Sequence, residues 1–152
     1  MIRERMNNNE RIYYHKEKEM KTARPYLIIL YMIALIVFGA AGDALMITGE
    51  KWWGHNLQHL ELYGAFFFVV VSVGFSTKRF WKTFLLALLA YTFIRFALFD
   101  YFWNWVAEQS WDYVGVTEIT DGIKAKVPPH GLAFMRLIVL SAGIGIVFKE
   151  LR

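Results

Sequence analysis

The chain has 152 residues, the length of one domain, and carries a net charge of +4 with no cysteine. Hydrophobic residues make up 57% of it and aromatics 18%, with a mean hydropathy of +0.33, values that argue against a soluble domain. The missing cysteines exclude disulfides, thiol catalysis, iron–sulfur ligation and quinone-linked dithiol chemistry.

Residues 1–24 mix charges with Asn7-Asn8-Asn9 and then read ERIYYHKEKEMK. This composition suits a short surface helix against anionic headgroups, or an unstructured tail. The tail precedes 25–152, which reads as a four-helix transmembrane domain. A bilayer's hydrocarbon core is about 30 Å thick and needs about 20 helical residues. Four runs meet that length: 26–47, 54–75, 80–103 and 131–148. None alternates as a barrel strand does, so each reads as an α-helix. Pro25 suits the first turn of the first span, and Pro128-Pro129 stands ahead of the fourth. The first run is too long for a signal-peptide core and is expected to remain as an anchor.

Between these spans the connections differ. Residues 48–53 bring Trp52 and Trp53 to headgroup level. Ser76-Thr-Lys-Arg79 is a short turn that makes the second and third spans antiparallel neighbours. The outer loop, 104–130, carries Trp105, Trp111 and Tyr113 as interfacial anchors and a turn at Thr120-Asp-Gly122, with a short amphipathic helix or a lid expected within it. Lys and Arg beside the spans divide twelve on the side of both ends and the 76–79 turn, Lys82 at the start of the third span among them, against three, Lys51, Lys124 and Lys126, on the other. The positive-inside rule then puts the N- and C-termini in the cytoplasm, and the basic tail reads as membrane-surface charge in place of a nucleic-acid site. The expected fold is an all-α integral membrane protein, an antiparallel four-helix bundle, in the cytoplasmic membrane if bacterial.

Ionisable residues inside the spans gather in the outer half. At about 1.5 Å of rise per residue, Asp43 and His59 lie roughly 6 Å below their outer helix ends, Arg136 roughly 8 Å and Arg95 roughly 13 Å. Asp100, Asn104, His55, Glu61 and His130 share the layer, while past Lys82, at the inner edge of the third, the inner half of every span has no acidic, basic or His residue. Charges at such depth need partners, water or a function. Arg95 and Arg136 can pair with Asp43, Asp100 or Glu61. Arg95 and Asp100 are five residues apart, about 140° around a helix, so they should face different neighbouring helices, whereas Asp100 and Asn104 share a face.

The heptapeptide HNLQHLE sets His55 and His59 at i and i+4, a spacing that lets two imidazoles reach one metal ion. Asn56 stands where a zinc hydrolase has its general-base Glu, and Glu61 points to another side, so a third ligand would have to come from Asp43, Asp100 or His130. Heme would want matching histidines in the inner leaflet, and His15 precedes the spans. The alternative is a pair of interfacial histidines bonded to water, headgroups or carboxylates. Ser141-x-x-x-Gly145 offers a small-residue face for packing within the bundle or between protomers. The aromatic run from Tyr91 to Trp105 reads as cover toward lipid and the outer interface.

The leading functional expectation is a small polytopic membrane protein whose outer cluster of Asp43, His59, Arg95, Asp100, Asn104 and Arg136 binds an ion, a small polar ligand or a lipid headgroup. The alternatives are a metal-dependent interfacial enzyme acting on lipid headgroups, with His55 and His59 holding a divalent metal, and a structural or assembly subunit. Expected partners are the bilayer and another membrane chain or a second copy, with no nucleic acid.

Overall fold

The structure, a computed structural model, describes residues 8–73, 80–111, 113, 122, 124 and 126–151. The described residues are almost entirely helical and contain no strand. Four long helices follow one another: α1, Asn8–Thr48; α2, Lys51–Val73; α3, Phe80–Val106; and α4, Pro129–Glu150. Among the described residues, three helical stretches are long and apolar enough to cross a membrane: Thr22–Thr48 within α1, α3 and α4. The polar heptapeptide lies in the first half of α2 and lowers its hydropathy. The inner end of its expected span, the 76–79 turn and, within 104–130, residues 112, 114–121, 123 and 125, Thr120 and Asp121 among them, lie outside the described residues.

α1 differs from expectation in its length. It runs unbroken through 41 residues with Pro25 in its interior, about 62 Å at helical rise, roughly twice the hydrocarbon thickness. Residues 8–24 are therefore a helical extension of the first apolar stretch. Pro25 has no N–H for the Lys21 carbonyl, yet good helix formers such as Glu17, Lys18, Glu19 and Met20 precede it, and continuity of the helix outweighs one lost bond. Pro25 is also buried.

The apolar core lies between α1 and α3. Met32, Ile36 and Ala40, four apart on one face of α1, meet Ala87, Ala90 and Ile94 of α3, with Val147 and Leu151 closing from the end of α4. Alanines on α3 let the helices approach closely, since packing in a bilayer rests on van der Waals fit. On its other side α3 packs along α4, where Gly143 faces Ile94 and the Ala90 carbonyl. This glycine, inside the expected Ser141 to Gly145 face, is the one that packs. Ser141 and Gly145 are exposed, and the Ser141 hydroxyl donates to the Leu137 carbonyl at 2.8 Å.

α1 and α2 form a hairpin turned at Gly49, whose φ of +101° favours glycine. Just below the turn the two backbones touch. A Cβ on Gly42 would lie 2.9 Å from the Gly54 carbonyl oxygen, and one on Gly54 would lie 2.8 Å from that of Gly42. Further down, the Tyr31 hydroxyl donates to the Gly64 carbonyl at 3.0 Å. The far side of α2 leaves Leu60, Leu62, Tyr63, Phe66 and Phe67 exposed, a surface suited to lipid and costly in water.

Candidate functional site in the outer polar layer

α3 organises the layer because it presents polar side chains on two of its faces. On the face toward α2, Arg95 Nε donates to Glu61 Oε1 at 2.9 Å, and the Tyr91 hydroxyl, one turn below, donates to the same oxygen. The carboxylate reaches this position because α1 has no side chain at Gly39: a Cβ there would lie 1.8 Å from Glu61 Oε2. Three helices thus enclose one carboxylate, and Arg95 lies over the Phe99 ring, 4.0 Å from its centroid.

The other face of α3 turns to α4 and the outer connection. Asp100 accepts from Lys124 Nζ through both oxygens, at 2.9 and 2.8 Å, and Arg136 Nη2 donates to Oδ2. The side chains of Lys124 and Arg136 are each 5% exposed and that of Asp100 12%. Both cations rest on aromatic rings of α3, Lys124 on Phe96 at 5.4 Å and Arg136 on Tyr101 at 4.6 Å. Ring faces attract cations most where water is excluded. Arg136 Nε is buried without a hydrogen-bond partner.

One turn above Asp100 on the same face, Asn104 is 2% exposed. Its amide donates to the carbonyls of Trp111, at 3.2 Å, and Tyr113, at 2.9 Å. The start of the outer connection is thereby folded back on the end of α3, where the Trp103 and Tyr113 rings stack.

The remaining candidates occupy other places. Asp43 takes the Gln58 amide across the α1–α2 seam and, among the described residues, is paired with no Arg. Arg95 pairs with Glu61, Arg136 with Asp100, and the layer is a set of separate groups in which Arg95 and Asp100 face different helices. His55, His59 and His130 are all exposed, with His59 stacked on Tyr63 at 5.7 Å. Among the described residues no three His, Cys, Asp or Glu side chains stand together as metal ligands. Asn56 donates to the Trp52 carbonyl at 2.9 Å.

Sequence reasoning missed Lys124, Gln58 and Tyr91 as members of the layer. It also read Phe96, Phe99 and Tyr101 as lipid cover, whereas they form the beds of the three cations. A pattern was present: each of Arg95 and Phe99, or Phe96 and Asp100, is separated by one helical turn, so aromatic and charged residues share faces. Nothing local marks Lys124, which is itself helical and reaches Asp100 only through the tertiary fold.

No protein-family model, curated protein or solved structure matches this chain.

Proposed function

We propose that this chain is a four-helix membrane scaffold or assembly subunit, with α2 as the fourth span and both ends on the cytoplasmic side. Its outer polar layer holds the helices and the outer connection in register. The observation that carries this reading is the Asp100 group, in which one carboxylate is bonded by two cations from separate elements and all three side chains are nearly closed to solvent. Charges so arranged are oriented toward one another, as befits a lock between helices, and an unpaired member left in such a place is strongly destabilising.

Thermal unfolding of the purified chain in detergent, comparing the unsubstituted protein with Asp100→Asn, tests the reading. Scaffolding requires a large loss of stability. A variant as stable as the parent would transfer the layer to ligand binding.

That second reading, a small anion or a headgroup oxygen held in the layer, is favoured by one observation, the buried and unpartnered Nε of Arg136. An orphan donor in a dry site attracts an acceptor. Under this reading Arg136→Gln would leave stability near that of the parent while abolishing a phosphate-dependent rise in the unfolding temperature.

A further inference from the structure

The heptapeptide HNLQHLE commits three of its five polar side chains to hydrogen bonds within the fold. Asn56 is bonded to the Trp52 carbonyl, Gln58 to Asp43, and Glu61 to Arg95 and Tyr91. His55 and His59 are what remains. Both are exposed, and among the described residues neither is held by a hydrogen bond or an ion pair. They follow Trp52 and Trp53 by less than two turns, so they face the water-rich headgroup boundary if those rings settle at the interface. The Tyr63 ring, stacked on His59 with an interplanar angle of 23°, orients that imidazole from the turn below.

We infer that His55 and His59 form an open two-imidazole chelate for a divalent late transition metal on the lipid-side face of α2. Residues at i and i+4 stand about 5–6 Å apart at Cβ on one helical face, which lets both rings reach a single ion lying over the helix surface. Neutral imidazole is a borderline donor suited to Ni, Cu and Zn, with Cu(II) the tightest of the divalent series. Two protein ligands leave the other positions to water, which the exposure of both rings admits. The site is independent of the Asp100 group and of the scaffold role. Asn56, a carboxamide, supplies no general base beside the two imidazoles, so the site is inferred as one for binding.

Equilibrium dialysis of the purified full chain against Cu(II), with metal analysis and with His15→Gln/His130→Gln as the background, tests the inference. One Cu(II) per chain is expected. His55→Gln and His59→Gln should each weaken binding at least about tenfold, a loss of about 1.4 kcal/mol, because either change destroys the chelate. His55→Gln/Tyr63→His restores an i, i+4 pair one turn lower, at an exposed position, and should recover most of the affinity. Single variants that bind as tightly as the background would overturn the inference. So would weakened single variants whose binding the relocated pair does not recover, since the proposal rests on the spacing. The unfolding temperature of the metal-free proteins should be the same throughout, which separates this test from that of the scaffold.

Discussion

Asp100 accepts hydrogen bonds from two cations, and the consequences of removing each partner are unequal. Replacing the carboxylate takes from Lys124 and Arg136 together the acceptor they share in a desolvated place, whereas replacing either cation leaves one ion pair intact. Breaking a buried pair from one side costs about 3–5 kcal/mol. We therefore expect Asp100→Asn to lose about 3 kcal/mol or more of stability, and Arg136→Met and Lys124→Met each to lose clearly less. Unfolding by denaturant in detergent gives the order, and equal losses in all three would contradict the hub geometry. Glu61 offers a second test. Its carboxylate occupies the space over Gly39 while bonded to Arg95 and Tyr91, so a methyl group at Gly39 must evict it. Gly39→Ala and Glu61→Gln should each destabilise by about 1–3 kcal/mol, and the double variant by little more than the worse single one, because residues in contact are not additive. Full additivity would mean that the two positions are not coupled.

Between elements, the α3–α4 contact makes a sharp distinction between two glycines two residues apart. A Cβ at Gly143 would meet Ile94 Cγ1 at 2.9 Å and the Ala90 carbonyl oxygen at 3.1 Å, whereas one at Gly145 would meet nothing within 4 Å. Overpacking costs about 1–3 kcal/mol, and alanine exceeds glycine in helix propensity by about 1 kcal/mol. Gly143→Ala should lower the unfolding temperature, and Gly145→Ala should leave it unchanged or raise it. A destabilising Gly145→Ala in detergent would instead point to a neighbour on that face. The α1–α2 seam is tighter still, since at Gly42 and Gly54 it is carbonyl oxygens that stand in the way, and backbone cannot rotate aside as a side chain can. By contrast Lys82 and Glu150, paired at 3.2 Å at the other end of α3 and α4, are exposed by 69% and 29%, and exposed pairs contribute little.

At the scale of the molecule, topology is open to direct measurement because the chain has no cysteine of its own. Lys16 and Lys126 are both exposed and lie on opposite sides of the proposed membrane. In intact cells an impermeant thiol reagent should modify Lys126→Cys and spare Lys16→Cys until the cells are opened. The reverse pattern would invert the orientation. Helix type and the apolar stretches within α1, α3 and α4 were readable from the sequence, because both follow from local quantities: the length of an apolar run, the period of 3.6 residues and the demand that every backbone group in lipid be bonded within its own helix. The divergence of Arg95 from Asp100 was readable too, since 100° per residue converts chain position into direction, and the two do bond to different elements.

Partner choice was beyond such reasoning. That Glu61 lies over Gly39, that Lys124 leaves the outer connection for Asp100, and that Asp43 takes Gln58 in place of an Arg all depend on which helix faces which, and at what offset. Those relations are set by the fit of small residues across separate helices: Gly42 against Gly54, Ala90 against Gly143, Gly39 beneath a carboxylate. The continuity of α1 through Pro25 belongs to the same class, because the local rule against an interior proline is worth one hydrogen bond and some strain, and packing of a buried residue can outweigh it. Height and direction are properties of one helix and are carried by its own residues. A contact is a property of two, and only the packed structure selects it.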